Sequence, residues 1–187
     1  CADGQDSQPF TIPLLANFTV VGLPNTVTVP AGGGRGMVLR RGTGGYYVNG
    51  VIARSINGGL SLRDNATTGA RVAAGLLDIR NHLVAETASL LDASTNVTFD
   101  TTGRGLRHQP ATTAASLFTA LPLTPTTAAS LDWTPVAGSA ATTGGLATFT
   151  GNIATKAGTF VTPTTYVGAA DPAGTKWWAG WTNYASN

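Results

Sequence analysis

The chain has little charge and almost no cysteine. Charged residues make up 11% of its 187 residues and the formal net charge is +2, which is too small to indicate a nucleic-acid partner. The single cysteine is residue 1, so no internal disulfide can form. No apolar run approaches the ~20 residues that a bilayer-spanning helix needs. Any membrane attachment is therefore expected to use a lipid or a partner protein.

Cys1 allows two interpretations. In this position it resembles the first residue of a mature bacterial lipoprotein, where the cysteine that follows the cleaved signal peptide carries the lipid. The alternative is that the numbering begins within a longer chain. Because charge is scarce, surface polarity must come from Thr, Ser, Asn and Gly, as is typical of secreted proteins. We therefore expect a periplasmic or cell-surface location, with Cys1 as the lipid attachment site under the first interpretation.

The composition favours strands over helices. The chain holds 24 Gly and 10 Pro and is rich in Thr, a combination typical of strands and turns. Short β-branched or alternating runs such as GMVLRRG, GGLSLRD and NVTFDTT are punctuated by Gly, Pro and Asn. A chain of 187 residues suits one domain with a real core. The sequence thus predicts a single all-β domain.

An asparagine that precedes a short strand recurs every 32 residues, at Asn17, Asn49 and Asn81, and a second column agrees at Asn25 and Asn57. Recurrence at this period indicates a stacked repeat, and the strand-forming runs predict a parallel β-helix of about three coils. The asparagines are expected either to hydrogen-bond one another in a ladder or to occupy corners with a left-handed backbone. Both roles are structural.

The alternation of side chains along each strand predicts an apolar stripe. Arg54 and Glu86 lie at the same offset from their asparagines, where they can pair across adjacent rungs. If this offset points outward, Val20, Ile52 and Val84, two positions earlier in the repeat, also point outward. Such a stripe needs a cover from the C-terminal third or from another protein. A β-bulge would instead reverse the orientation.

The last third of the chain differs from the rest. Between residues 111 and 165 only two residues are charged, and Thr, Ala, Gly and Pro dominate. We expect residues 1–110 to form the coils and residues 111–187 to form a wrapping segment and cap. An aromatic set at the end is expected to plug the final coil or to bind sugars, a membrane interface or a protein. This set is Trp177, Trp178, Trp181 and Tyr184.

Three segments carry a resemblance to a known family. LRRGTGG, SLDWTPVAGSAA and YVGAADPAGTKWWAGWTNYA together resemble the C-terminal half of a group of secreted bacterial right-handed parallel β-helix proteins, many of them lipoproteins. The resemblance covers most of the chain from about Asn17 onward, and the tryptophan-rich ending is its most specific part. It implies a right-handed β-helix and an extracytoplasmic location, and no particular activity. Because those relatives have further coils upstream, the chain is either a shortened member or a fragment.

No catalytic or metal-binding pattern stands out in the sequence. Polysaccharide-cleaving β-helix enzymes need clustered carboxylates on one face, whereas Asp64, Asp78 and Asp100 fall at different offsets of the repeat. His82 and His108 have neither a cysteine partner nor metal-ligand spacing. We therefore predict a protein that is not an enzyme, with no catalytic residues, no metal and no cofactor.

Arginines form a second candidate binding surface, in addition to the aromatic set. Nine of the eleven basic residues are arginine, and seven of them lie between residues 35 and 80. Arg35, Arg40 and Arg41, with Arg54 nearby in the chain, are candidates for binding lipid phosphates or an acidic protein face. The alternative is that they solvate a surface of low charge and pair across rungs.

These features favour a non-enzymatic, membrane-extrinsic scaffold subunit on the periplasmic or outer face, which stabilises a larger membrane-associated complex. Photosynthetic reaction-centre and antenna assemblies are one type of complex that recruits such subunits, although nothing in the sequence binds pigment. Two alternatives stay open. One is a surface protein that binds or degrades carbohydrate, with tryptophans as sugar platforms. The other is a fibre subunit that self-stacks through an open N-terminal coil.

Overall fold

The computed structural model of the chain describes residues 5–23, 28–30, 32–122 and 130–180. Within these ranges the strands are short, with three to five residues each. They are β1 (Leu14–Ala16), β2 (Thr19–Val21), β3 (Arg35–Leu39), β4 (Gly45–Val48), β5 (Val51–Ala53), β6 (Gly58–Leu62), β7 (Leu77–Arg80), β8 (Leu83–Ala85), β9 (Arg107–Gln109), β10 (Phe118–Ala120) and β11 (Asp132–Pro135).

The helices are short as well. A π-helical turn at Asn65–Gly69 runs into α1 (Ala70–Ala73), and α2 (Ala114–Leu117), a 3-10 turn at Ala140–Thr142 and α3 (Gly151–Ala157) follow. Thr113 caps α2, because its side chain accepts a hydrogen bond from the backbone N–H of Ser116. None of the helices in the described ranges has the length and apolar character needed to cross a bilayer.

The strands of the described residues are distributed over four small sheets. Three sheets are parallel, with the strand orders β1–β4–β7, β2–β5–β8–β9 and β3–β6. The fourth pairs β10 with β11 in the antiparallel direction. The strands of each parallel sheet follow one another in chain order, so β1, β2 and β3 are the first strands of their sheets.

The prediction of an all-β, right-handed parallel β-helix solenoid is wrong. Over the described residues the chain is a mixed α/β fold, in which helices separate several strands and one of the four small sheets is antiparallel. The 32-residue spacing sets the register of β1–β4–β7 and of β2–β5–β8, but Arg35 pairs with Gly58 and Leu83 pairs with Arg107. The connections therefore differ too much in length to build one uniform coil.

Asparagines occupy the corners between successive strands. Asn17, Asn49 and Asn81 join β1 to β2, β4 to β5 and β7 to β8, with φ angles of 52°, 55° and 54°. Asparagine tolerates this left-handed region better than most residues, because its short polar side chain can hydrogen-bond locally. The recurrence of asparagine at this interval thus coincides with a recurring backbone conformation.

The buried apolar side chains of the described residues form three clusters. One lies between the parallel sheets and another lies between the β5–β8 strands and the segment that begins at α2. In the third, Tyr46 and Val48 of β4 pack against Ile153 of α3. The part of the chain after residue 110 therefore covers two faces of the parallel sheets.

The predicted outward stripe points inward. Ile52 and Val84 are fully buried in the cluster between the parallel sheets, and of the three stripe residues only Val20 is exposed. The prediction depended on Arg54, which has a φ of 57° and is only 8% exposed. Because a left-handed residue turns the chain, the two-residue alternation of a strand does not extend through it. Ile52 and Val84 are core residues and cannot form an interaction surface.

Candidate interaction surface

One end of the parallel sheets is open. Within the described residues β1, β2 and β3 each pair only with a strand that follows them in the chain. We call the unpaired sides of these three strands, over Leu14–Ala16, Thr19–Val21 and Arg35–Leu39, the leading edge. A row of unpaired backbone N–H and C=O groups is a template for pairing with another strand.

The outward-facing backbone groups of β2 follow from its pairing with β5. The carbonyl of Phe18 accepts a hydrogen bond from the N–H of Val51 at 2.9 Å. Alternate residues of a parallel strand bond to opposite neighbours. The N–H and C=O groups of Thr19 and Val21 therefore face away from β5, towards the open side.

Apolar side chains are exposed along the leading edge. Leu15, Val20 and Val38, one on each strand, are 45%, 37% and 41% exposed. Val20 pairs with Ile52, which pairs in turn with Val84, and both of these partners are fully buried. Val20 is thus the first of three paired residues, and the other two lie in the core. The core is uncovered where this row of three residues begins.

Two further apolar side chains lie close together near this end. Leu23, which follows β2, and Ile56, which follows β5, line a small hollow with Arg54 and Glu86. They are 59% and 40% exposed. Five of the large apolar residues that are exposed therefore belong to the leading edge or to its surroundings, and they extend its apolar area.

Charge along the leading edge is neutralised locally. Arg35 is its one charged residue, and the Nε of Arg35 donates to the carboxylate of Asp92, which also accepts from Arg63 at 3.3 Å. Burial of Asp92 opposes its ionisation, but hydrogen bonds from Arg35, Ser61 and Thr95 outweigh this effect and hold the pKa of Asp92 below its ordinary value. The side chains that are exposed on the leading edge, Leu15, Val20 and Val38, are all apolar.

The opposite edges of the same sheets are protected. Backbone groups of residues 89–97 bond to β6 and cover its far side. The last strands of the other two sheets carry charged or polar side chains, with Asp78 and Arg80 on β7 and Arg107 and His108 on β9. Covered edges and charged edge strands both disfavour pairing with another chain. The two ends of the sheets therefore differ in chemical character.

The asparagine corners anchor the C-terminal part of the chain. Asn49 is fully buried; its Oδ1 accepts from the N–H of Leu146 at 2.6 Å and its Nδ2 donates to Thr164 Oγ1 at 3.1 Å. Asn17 also donates to Thr164 Oγ1, at 2.8 Å, and the Nδ2 of Asn81 donates to the carbonyl of Gly144 at 2.9 Å.

Contacts within the asparagine column are weaker. The Nδ2 of Asn49 lies 3.4 Å from the Oδ1 of Asn17, a long hydrogen bond. In the second column, Asn57 donates from Nδ2 to the carbonyl of Gly33 at 2.8 Å, and Asn25 lies outside the described residues. The principal partners of the first column are backbone and hydroxyl groups far away in the sequence. Sequence spacing alone could not reveal them.

The candidate arginines lie in separate environments. Arg35 bonds to Asp92, and the buried Arg54 lies 3.3 Å from Glu86, the residue at the same offset of the next repeat. Arg40 and Arg41 are exposed at the corner between β3 and β4. Since two of the four arginines are held by carboxylates, the group does not present one continuous cationic patch.

The aromatic residues of the ending divide between surface and core. Trp177 is 52% exposed, and its Nε1 donates to the carbonyl of Ala169. Trp178 is 6% exposed, and its ring packs edge-to-face against the ring of Trp177. Trp178 is therefore a core residue and cannot be a sugar platform. Trp181, Tyr184 and the proposed lipid attachment residue Cys1 lie outside the described residues.

Gly50 makes room for two rings that lie far apart in the sequence. A Cβ on Gly50 would lie within 2.7 Å of the rings of Phe18 and His82, which meet edge-to-face with centroids 5.1 Å apart. The Nδ1 of His82 lies 2.9 Å from the carbonyl of Arg80. Complete burial lowers the pKa of His82 to about 4, although the bond to Arg80 acts in the opposite direction. His82 is therefore a neutral core residue at pH 7.

A cleft of about 340 Å³ lies between the β4–β7 sheet and α3. Its polar groups already bond one another: Asp78 accepts from Arg80 at 2.8 Å and from Arg104, and Asn152 donates to the carbonyl of Gly75 at 3.3 Å. Over the described part of the chain, no three His, Cys, Asp or Glu side chains lie close enough together to hold a metal ion.

Comparison of the chain with protein-family models, with curated proteins and with solved structures finds no match in any of the three.

Proposed function

We propose that the protein is a non-enzymatic structural subunit that binds a partner protein through its leading edge. The observation that carries the proposal is the uncovered end of the core, where Leu15 and Val20 are exposed on strands with an unpaired side. Added strands would satisfy the backbone groups and bury these side chains in one step. An exposed apolar area next to unpaired strands is typical of an interaction site.

The ion pairs of Asp78 and Asp92 support a structural role. Asp78 is held by Arg80 and Arg104, and Asp92 by Arg35 and Arg63. A carboxylate held between two guanidinium groups is fixed in position, which suits a structural contact better than proton transfer.

The setting of the protein belongs to the same proposal and is supported by the sequence alone. We place it at the periplasmic or outer face of a membrane, as a subunit that stabilises a larger complex, with Cys1 as the lipid attachment site. Intact mass spectrometry of the native protein tests this part, because acylation adds the mass of the lipid chains. An unmodified Cys1 would contradict it.

Native purification in mild detergent tests the role of the leading edge. We expect the wild-type chain to migrate with a larger complex and the double variant Leu15→Lys/Val20→Lys to migrate alone, because two ammonium groups would oppose burial of the edge. Val136→Lys is the matched control, since Val136 is also exposed but follows β11, away from the leading edge. Equal association of the double variant and the control would contradict the proposal.

Carbohydrate binding is the second candidate function. The observation that favours it is the exposed ring of Trp177, next in the chain to Lys176, whose ammonium group donates to the carboxylate of Asp132. An exposed indole face can stack on a sugar ring. Titration with glycans, followed by intrinsic fluorescence, should show binding that Trp177→Ala removes. Binding that persists in Trp177→Ala would exclude this residue as the platform.

A further inference from the structure

We propose that the leading edge pairs with the leading edge of a second copy of the chain, so that two copies form a closed dimer with two-fold symmetry. This inference rests on the proposed function, because it names a second copy of the chain as the partner protein at the leading edge. The arrangement of the three open strands and the contrast between the two ends of the sheets support it.

The occupant has to satisfy three edges at once. β1, β2 and β3 belong to three different sheets that surround one core cluster. A single extended peptide can pair with one strand only, and it would leave the other two edges and the end of the core exposed. A second copy of the chain presents three strands of the same lengths around the same core, so it can cover the whole end.

The chemistry of the two ends selects the orientation. A head-to-tail contact would place the apolar leading edge against β7 and β9, which carry Asp78, Arg80, Arg107 and His108. It would also meet the far side of β6, which residues 89–97 already cover. A head-to-head contact instead brings the two leading edges together, so that the apolar ends of both cores, marked by Leu15 and Val20, cover each other. Like surfaces therefore meet.

The orientation also fixes the number of copies. A contact between identical surfaces is isologous and uses up the leading edge of both copies, so the assembly closes after two. A head-to-tail contact would leave a free edge at each end and would grow into a fibre. The structure thus favours a dimer over the self-stacking fibre that the sequence analysis left open.

Sedimentation equilibrium of the purified chain over a range of concentrations tests the inference. We expect a species of twice the 19.0 kDa chain mass that dissociates on dilution. Leu15→Lys/Val20→Lys should weaken the dimer at least 100-fold, and Val136→Lys should leave it unchanged. Circular dichroism of each variant checks that the fold is intact. A wild-type chain that stays monomeric at about 100 µM, or an open series of larger species, would overturn the inference.

Hydrogen exchange gives a second readout that does not depend on a variant. The outward-facing N–H groups of Thr19 and Val21 should exchange rapidly in dilute solution and at least tenfold more slowly in the dimer. Equal exchange at both concentrations would show that β2 lies outside the interface. The two proposals can fail separately: a monomeric chain whose double variant still loses its native complex excludes the second copy but retains the leading edge as a binding site.

Discussion

Asn49 is the residue whose replacement tests the packing of the C-terminal segment most directly. Its amide bonds two groups of that segment, the N–H of Leu146 and the hydroxyl of Thr164, and its backbone lies in the left-handed region. In Asn49→Ala the N–H of Leu146 loses its partner, at a cost of about 1–3 kcal/mol. Loss of the bond to Thr164 adds about 1 kcal/mol, and alanine in a left-handed conformation adds about 1 kcal/mol.

These contributions amount to a decrease of about 4 kcal/mol in the free energy of unfolding, a large share of the 5–15 kcal/mol typical of a domain. The expected drop in melting temperature is about 8–16 °C for a chain of this size. Urea titration followed by circular dichroism measures the free energy. Asn49→Gly separates the backbone contribution, because glycine adopts the left-handed conformation freely and should recover about 1 kcal/mol.

Asn152→Ala is the matched control. Asn152 is exposed on α3 and makes one hydrogen bond of 3.3 Å, to the carbonyl of Gly75, so its replacement should change stability by no more than about 0.5 kcal/mol. Hydrogen exchange locates the effect, since amides of residues 144–168 should lose protection in Asn49→Ala. A loss below about 1 kcal/mol in Asn49→Ala, or unchanged protection of these amides, would refute the anchoring role.

Two further predictions concern the rings next to this corner. Burial keeps His82 neutral with a pKa of about 4, below the ordinary value of 6.5, so the unfolded chain binds the proton first and stability is lost as the pH falls from 6.5 towards 4. The loss should reach about 2 kcal/mol at pH 5. Urea titrations over this pH range should show a smaller loss in His82→Leu than in the wild-type chain, and an equal loss in both would contradict this assignment. Gly50→Ala should cost about 1–3 kcal/mol, because its Cβ would lie within 2.7 Å of the rings of Phe18 and His82. Thermal unfolding checks this value, and a neutral effect would show that the rings move apart.

Local sequence preferences were enough to predict several of the strands. GMVLRRG covers four of the five residues of β3, and GGLSLRD contains β6. The corners at Asn17, Asn49 and Asn81 recur at the interval that sets the register of two sheets. These features depend on neighbouring residues and on the conformations that asparagine tolerates. NVTFDTT has the same character but forms no strand in the structure, because strand formation also needs a partner edge.

Orientation and partners depended on contacts between distant residues. Nothing in the alternation around Ile52 shows that Arg54 turns the chain, so the sequence assigned the wrong face to the core. The helices were missed because each is too short for a 3.6-residue periodicity to be recognised. Without them and the antiparallel pair, the regular asparagine interval suggested a uniform solenoid in place of a mixed α/β fold.

The leading edge, too, was determined partly by the sequence and partly by the tertiary structure. Composition and spacing determined where the corners fall and which runs can become strands, since those depend on the conformational preferences of short segments. The tertiary structure decided which strands stay unpaired and which apolar side chains the C-terminal segment covers. These features arose when segments more than 100 residues apart packed together, as in the bonds from Asn17 and Asn49 to Thr164. Packing of this kind has no signature in a local pattern, because it depends on the positions of both partners in space.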